Sequence, residues 1–177
     1  PARVVPPPGA FLQATREAEA ALQAAVGRIA GQAGRVVDLF AGCGTFALPL
    51  TDRAEVHAVE SDGAAVSAMM AGWRAAGGLK RLTTERRDLS RRPLSPAELA
   101  RFGAVVMDPP RAGARAQAQA LAESRVPAVA AVSCDPASFA RDARILIDGG
   151  YRMGPVTVID QFRWSARVEL VAGFTRG

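Results

Sequence analysis

The feature that most constrains the fold of this chain is a hydrophobic run that ends in an acidic residue and a glycine turn. Two valines lead into Asp38, and Gly42 and Gly44 follow within a run of small residues. β-Branched residues favour a strand, and glycines permit a tight turn in which the backbone can approach a ligand closely. The apolar residues from Phe46 onward predict a helix. Strand, glycine turn and helix form the first unit of a doubly wound α/β domain, in which ligands bind beyond the carboxyl ends of the strands.

The spacing of this turn separates it from dinucleotide sites. It reads D-x-x-x-G-x-G, whereas dinucleotide-binding turns read G-x-G-x-x-G. An acidic residue before the turn suits a ligand with an amine better than one with a pyrophosphate. The turn resembles the first motif of class I S-adenosylmethionine-dependent methyltransferases, which implies that Asp38, Gly42 and Gly44 belong to a cofactor site. The alternatives are another Rossmann-like ligand site and a tight turn without a ligand.

Strands and helices are predicted to alternate along the rest of the chain. The further predicted strands are 55–60, 82–86, 102–107, 128–132, 151–159 and 168–174, and the predicted helices are 15–29, 63–76, 117–123 and 138–147. Residues 91–96 are predicted to form a basic loop. We therefore expect an α/β fold with a doubly wound, mostly parallel Rossmann-like sheet and a C-terminal antiparallel hairpin. Four prolines in residues 1–10 indicate a lead-in or linker, so the catalytic domain is expected to span 11–177.

Composition excludes several classes of protein. The chain has two cysteines and one histidine, which is too few for a disulfide framework, an iron–sulfur cluster or a histidine-rich metal site. It has no apolar run that could span a bilayer and no signal peptide, so no membrane partner and a cytoplasmic location are expected. The net charge is +5, and arginine dominates the basic residues. Arginine suits phosphate recognition, although a solvated basic surface explains the charge equally well.

Acidic residues follow several of the predicted strands, at the edge where such a sheet binds its ligand. Besides Asp38, these are Glu60, Asp88 and Asp108. Glu60 could accept hydrogen bonds from both hydroxyls of a ribose, and Asp88 could accept one from an adenine amino group. Any single one of these residues could instead cap a helix, but four in order favour a nucleoside-containing cofactor.

A second motif, Asp108-Pro109-Pro110-Arg111, follows the strand predicted at 102–107. Its two prolines stiffen the turn and remove two backbone donors, so Asp108 and the carbonyl groups are displayed outward. Motifs of this form recur in methyltransferases that act on nucleobases. A merely rigid turn is the alternative.

A third motif, Ser133-Cys134-Asp135-Pro136, places a cysteine between an apolar strand and a helix. A helix N-terminus and nearby arginines both favour a thiolate, so we expect Cys134 to be a nucleophile with an accessible anionic form. A lone cysteine is otherwise more often a small buried hydrophobic residue.

Taken in order, these motifs resemble the RNA (uracil-5-)-methyltransferase family, which forms 5-methyluridine in tRNA and in large-subunit rRNA. The matching stretches are Asp-Leu-Phe-Ala-Gly-Cys-Gly-Thr-Phe, Asp-Pro-Pro-Arg-Ala-Gly, Val-Ser-Cys-Asp-Pro and Arg-Val-Glu. The resemblance implies S-adenosylmethionine as cofactor and RNA as partner. It also implies cofactor-binding roles for seven residues: Gln13, Asp38, Gly42, Gly44, Glu60, Asp88 and Asp108. Asp108 and Arg111 are expected to contact the target uracil or its RNA, Cys134 to attack it, and Glu169 to act as general base.

The sequence departs from the family pattern at several points. Arg167 stands where the family usually has histidine, and Asp135 stands where it usually has asparagine, which would raise the pKa of the adjacent thiol. The family's N-terminal RNA-binding domain is not recognisable in these residues and is expected to be missing from this chain. Phe162 and Trp164 could stack on a flipped base or could pack within the hairpin.

Two other functions remain open at this point. One is methylation of an exocyclic amine of a nucleobase, which needs neither Cys134 nor Glu169. The other is a domain that binds the cofactor without methylating RNA on its own.

Overall fold

The computed structural model describes residues 2–161, 164–165 and 167–177, which form a single seven-stranded sheet with helices on both faces. The strands are β1 (Arg35–Leu39), β2 (Glu55–Glu60), β3 (Leu82–Arg86), β4 (Ala104–Met107), β5 (Ala128–Ser133), β6 (Arg152–Ile159) and β7 (Glu169–Thr175). The helices are α1 (Arg16–Ala30), α2 (Ala47–Leu50), α3 (Gly63–Ala75), α4 (Pro96–Leu99), α5 (Arg115–Glu123) and α6 (Pro136–Asp148). None of the described helices has the length and apolar character needed to cross a membrane.

The strand order is β3-β2-β1-β4-β5-β7-β6. Strands β1 to β5 run parallel, and β7 runs antiparallel to both β5 and β6. The predicted doubly wound, mostly parallel sheet with a C-terminal antiparallel hairpin is therefore confirmed. The chain order reverses between β1 and β4, and it is at such a switch point that open α/β sheets bind their ligands.

The side chains of the central strands form two hydrophobic clusters, one on each face of the sheet. Successive residues of a strand face opposite sides. Val37 and Leu39 join the hydrophobic cluster that includes residues of α4, α5 and α6, whereas Val36 joins the one formed with α1, α2 and α3. Asp38 shares the parity of Val36 and therefore enters the second layer as a buried carboxyl group.

The boundaries differ from prediction where local capping decides them. The basic loop predicted at 91–96 ends one residue early, because the one-turn helix α4 begins at Pro96. A capping box between Ser95 and Glu98 stabilises the start of this helix, which was not predicted from the sequence. Strand β4 starts at Ala104 rather than at residue 102, because the backbone N–H of Phe102 closes a turn on Leu99. Helix α6 starts at Pro136, two residues before the predicted start, because Asp135 is its N-cap.

The N-terminal segment, residues 2–14, contains no helix or strand. It passes over α3, where a Cβ on Gly72 would lie 2.7 Å from the carbonyl oxygen of Arg3. Helix α3 therefore has a glycine where this segment crosses it closely. Beyond the crossing, Gly9 and Phe11 reach the carboxyl edge of the sheet.

Candidate active site

A cleft of about 640 Å³ opens at the carboxyl ends of the parallel strands. Eight of the ten site residues singled out in the sequence line it: Gln13, Gly42, Glu60, Asp88, Asp108, Arg111, Cys134 and Glu169. The other two, Asp38 and Gly44, are buried and are not among the residues that line the cleft. Within the described residues, no group of three or more His, Cys, Asp or Glu side chains could hold a metal ion.

The glycine turn is closely fitted to its surroundings. Gly42 and Gly44 both have positive φ, as does Phe40, which is unusual for a residue with a side chain. A Cβ on Gly44 would lie 2.8 Å from the Cγ of Met69, so α3 packs directly against this position. The turn therefore requires glycine at residue 44 for conformation and for space.

Glu60 ends β2 with its carboxylate facing the turn. Its Oε2 accepts a hydrogen bond from the backbone N–H of Gly42 at 2.9 Å. Its Oε1 accepts hydrogen bonds from the backbone N–H groups of Ser61 and Asp62, at 2.6 Å and 2.9 Å. The carboxylate is thus fixed beside the turn, where its remaining lone pairs can accept from hydroxyl groups of a ligand.

Asp38 is a buried carboxyl group for which the described part of the chain offers no hydrogen-bond partner. It is 0% exposed, and neither Oδ1 nor Oδ2 makes a hydrogen bond to a described residue. Burial, with a smaller contribution from the charge of Asp108, raises its pKa well above the ordinary value of 3.8. The backbone N–H of Ala47 favours the ionised form without reaching hydrogen-bond geometry. A buried acceptor left unpaired is unfavourable, so this position fits a ligand that supplies a positive charge or a donor from above the turn.

Asp88 lies at the opposite end of the cleft, just past β3. Its Oδ1 accepts hydrogen bonds from the backbone N–H and the hydroxyl of Ser90, at 3.0 Å and 2.6 Å. These hydrogen bonds lower the pKa of Asp88, and Arg91 contributes to the same effect. Asp88 is therefore an ionised acceptor at neutral pH.

Three titratable side chains from three different strand ends meet at the other side of the cleft. Asp108 follows β4, Cys134 follows β5, and Glu169 begins β7. Burial and the charge of Glu169 raise the pKa of Asp108 to about 7, and burial also raises the pKa of Glu169. A group such as Asp108, whose protonation changes near neutral pH, can donate and accept a proton under physiological conditions, which makes this cluster a candidate catalytic centre.

The thiol of Cys134 does not have the lowered pKa that the sequence predicted. It is half-buried, and burial together with the charges of Glu169 and Asp108 raises its pKa. The backbone N–H of Cys134 itself and the charge of Arg111 lower the pKa, but their effect is smaller. The prediction was wrong because the fold brings two carboxyl groups from distant parts of the chain next to the thiol.

Asp135 has a structural role that accounts for its position beside Cys134. Its Oδ1 accepts a hydrogen bond from the backbone N–H of Ser138 at 2.8 Å and so caps α6. This hydrogen bond lowers the pKa of Asp135. The expected effect on the thiol is not found, since Asp135 is not among the groups that shift the pKa of Cys134.

Gln161 is a site residue that the sequence analysis missed. It is 6% exposed and makes hydrogen bonds to the segment at residues 13–14 and to Glu169. Two of these contacts join residues 147 and 148 positions apart in the chain. No local sequence pattern signals a contact of that separation.

The loop between β6 and β7 is only partly described. Phe162 lies outside the described residues. Trp164 is fully exposed and does not line the cleft, so it does not pack within the hairpin. Arg167 is exposed, and its backbone N–H donates to the hydroxyl of Ser165 at 3.2 Å.

Comparisons with known proteins identify relatives of this chain, although no protein-family model matches it. An uncharacterised RNA methyltransferase of Mesorhizobium japonicum is 60% identical over 169 residues, which cover 96% of this chain and 41% of that protein. A 23S rRNA (uracil(1939)-C(5))-methyltransferase of Chromohalobacter salexigens is 40% identical over 172 residues, covering 96% of this chain and 35% of that protein.

A solved structure has the same fold. It is the Pyrococcus abyssi tRNA (uracil-54, C5)-methyltransferase in complex with S-adenosyl-L-homocysteine, with a TM-score of 0.82 and 26% sequence identity. The match covers 95% of this chain and 41% of that one. The chain therefore spans less than half the length of the relatives it matches.

Proposed function

We propose that the chain is the catalytic part of an RNA (uracil-5-)-methyltransferase and that it methylates carbon 5 of a uridine in RNA, a proposal that its RNA methyltransferase relatives support. The observation that carries this proposal is one cleft that joins a cofactor-type glycine turn to the cluster of Asp108, Cys134 and Glu169. Two of the similar proteins support the proposal by name, since one is a uracil-C5 methyltransferase of rRNA and the other a uracil-C5 methyltransferase of tRNA.

The cofactor proposed is S-adenosylmethionine. When bound, it supplies an electrophilic methyl group on a sulfonium sulfur. Asp38 fits this ligand because a buried carboxyl group without a partner can be stabilised by an ammonium group beyond the turn. Glu60 would accept hydrogen bonds from the ribose hydroxyls, and Asp88 from the adenine amino group. Gly42 and Gly44 let the backbone pass close to the ligand.

Cys134 and Asp108 would prepare the uracil for methylation. Carbon 5 of uracil is a weak nucleophile. The thiol of Cys134 loses its proton to solvent, and the thiolate Sγ forms a bond to carbon 6, so the electron pair of the 5,6 double bond moves toward carbon 5 and oxygen 4. In its protonated form, Asp108 can donate a hydrogen bond to that oxygen, where negative charge develops. A carboxyl group with a pKa of about 7 is partly protonated at neutral pH and can do this.

Glu169 would complete the reaction. After carbon 5 has gained a methyl group, it still carries its original proton. The carboxylate of Glu169 removes that proton, the 5,6 double bond re-forms, and the Sγ of Cys134 leaves carbon 6 as a thiolate. Burial raises the pKa of Glu169 and so makes it a stronger base than an exposed glutamate.

Access to this cluster requires that the target base leave its stack. The acidic groups and Cys134 lie inside a cleft, so a uridine within a duplex could not reach them. A single-stranded loop or a flipped nucleotide is therefore the expected form of the substrate. Arg111, at the mouth, is exposed and suited to a phosphate of that strand.

The test is methyl transfer from labelled S-adenosylmethionine to tRNA and rRNA fragments, followed by mass spectrometry of the nucleosides. The proposal predicts 5-methyluridine, and its loss in Cys134→Ala and Glu169→Gln. Methylated adenosine or guanosine that forms independently of Cys134 would instead support an amino-methyltransferase. Cofactor binding without any methylated nucleoside would support a domain that does not act on RNA alone.

A further inference from the structure

Gln161 connects the N-terminal segment to the candidate general base. Its Oε1 accepts a hydrogen bond from the backbone N–H of Ala14 at 3.0 Å. Its Nε2 donates to the Oε1 of Gln13 at 2.6 Å and to the Oε1 of Glu169 at 3.3 Å. All three contacts come from one side chain that is 6% exposed.

The direction of these hydrogen bonds follows from the chemistry of the groups. A backbone N–H can only donate, so the atom of Gln161 that faces Ala14 must be the carbonyl oxygen. The amide nitrogen of Gln161 must then face Gln13 and Glu169, where it has two N–H groups to donate. The backbone of Ala14 thus fixes an amide orientation that would otherwise be ambiguous.

This orientation has a consequence at each end. Gln13 must present its carbonyl oxygen to Gln161, so its own NH₂ group is left to donate elsewhere, and among the described residues it makes no hydrogen bond. Glu169 accepts through Oε1, so Oε2 is left for a proton of the substrate. Both Gln13 and Glu169 line the cleft.

We propose that Gln161 is a positioning residue that sets a donor at Gln13 and a base at Glu169 for the same bound uracil. The inference rests on the proposed function for the identity of that base. In this arrangement the Gln13 NH₂ group donates to a carbonyl oxygen of the pyrimidine, and Glu169 Oε2 takes the carbon-5 proton. Gln161 itself touches neither the uracil nor the cofactor.

Gln161 also acts on Glu169 electrostatically. The titratable groups that feel the charge of this carboxyl group are Asp108 and Cys134. Burial raises the pKa of Glu169, and the hydrogen bond from Gln161 is the group contact that lowers it. Removing this donor should therefore raise the pKa of Glu169 further.

The test compares Gln161→Met with Gln117→Met. Gln117 is a matched control because it is a buried glutamine, 1% exposed, that also hydrogen-bonds on both sides, to the backbone N–H and carbonyl of Leu94 at 2.8 Å and 3.1 Å. It lies away from the cleft, so it reports the general effect of losing such a side chain. Methionine preserves the length of the side chain and removes its donors.

The first measurement needs no RNA. The pKa of Glu169 is followed by pH-difference infrared spectroscopy of the carboxyl group, with Glu169→Gln identifying the band. The expected result is a higher pKa in Gln161→Met and an unchanged one in Gln117→Met. An unchanged pKa in Gln161→Met, or an equal rise in both variants, overturns the inference even if the protein methylates RNA.

The second measurement is the release of tritium from RNA labelled at carbon 5 of uridine. Gln161→Met should lose roughly 10-fold to 100-fold in the rate of release, with the acid limb of its pH profile moved to higher pH. Full activity with an unmoved limb would overturn the inference. If the pKa of Glu169 rises in Gln161→Met as expected but wild-type protein releases no tritium, the proposed function is overturned while the contact between Gln161 and Glu169 stays supported.

Discussion

The buried carboxyl group of Asp38 allows a prediction in which stability and binding change in opposite directions. Asp38→Asn keeps the size of the side chain and removes its charge. Because the folded-state pKa is raised above 3.8, the folded protein holds a proton on Asp38 at pH values where the unfolded chain has lost it. The stability that this group contributes is therefore complete below about pH 4 and declines as pH rises toward the folded-state pKa.

The asparagine variant does not have this pH dependence. At neutral pH and above, we expect the free energy of unfolding of the cofactor-free protein to be about 1–3 kcal/mol higher in Asp38→Asn, because the amide does not ionise and so lacks the pH-dependent cost of a buried carboxyl group with a raised pKa. For a chain of this size, each kcal/mol corresponds to about 2–4 °C in the unfolding temperature. At about pH 4 the two proteins should differ little. S-Adenosylmethionine should bind the variant roughly 10-fold to 100-fold more weakly, because the charge facing its ammonium group is gone.

Chemical denaturation between about pH 4 and pH 8, with calorimetry for cofactor binding, measures both effects. Asp142→Asn is the matched control. Asp142 is also buried, but its carboxylate accepts hydrogen bonds from the backbone N–H of Ala114 and from Arg141, so removing its charge should destabilise the protein. If Asp38→Asn were destabilised as much as Asp142→Asn at pH 8, or bound the cofactor like the wild type, the assignment of Asp38 would be wrong.

Three further predictions concern the turn, the helix cap and the thiol. Gly44→Ala should destabilise the protein by about 1–3 kcal/mol in urea denaturation, since its Cβ would lie 2.8 Å from Met69, whereas Gly77→Ala, with open space around it, should not. Asp135→Ala should lower the free energy of unfolding by about 1 kcal/mol, because the cap on α6 is lost. The pH midpoint for alkylation of Cys134 should not change in this variant, and a marked fall in that midpoint would contradict the structure. The rate at which iodoacetamide alkylates wild-type Cys134 should keep rising from about pH 7 to about pH 9, because the raised thiol pKa leaves little thiolate at neutral pH; a plateau below about pH 7 would show a lowered pKa instead.

The sequence predicted those parts of the fold that depend on local pattern. Strands β2 and β3 have the predicted bounds, because short apolar runs between turn residues define them. Helix α4 was missed, because a single turn held by a capping box has no periodicity to detect. Eight of the ten candidate site residues line one cleft, and six of these end or follow parallel strands, a placement that strand order dictates. The other two differ, since Gln13 lies in the N-terminal segment and Glu169 begins the antiparallel strand β7.

What could not be predicted depends on contacts between distant segments. Burial raises the pKa of Cys134, and the charges of Glu169 and Asp108, which β7 and β4 bring beside it, raise it further. Gln161 became a site residue only through hydrogen bonds to the other end of the chain. Both are consequences of the assembled sheet, which residue spacing does not encode.

The proposed mechanism depends on a covalent bond between Cys134 and carbon 6 of a uracil. It can be tested by trapping with RNA that contains 5-fluorouridine, in the presence of S-adenosylmethionine, with wild type and Cys134→Ala compared. Fluorine at carbon 5 cannot be removed as a proton, so the adduct should persist after methyl transfer. We expect a stable protein–RNA band that carries the methyl group and is absent from Cys134→Ala. If the protein methylates ordinary uridine at carbon 5 but forms no such band, or forms it equally without Cys134, the covalent mechanism is wrong.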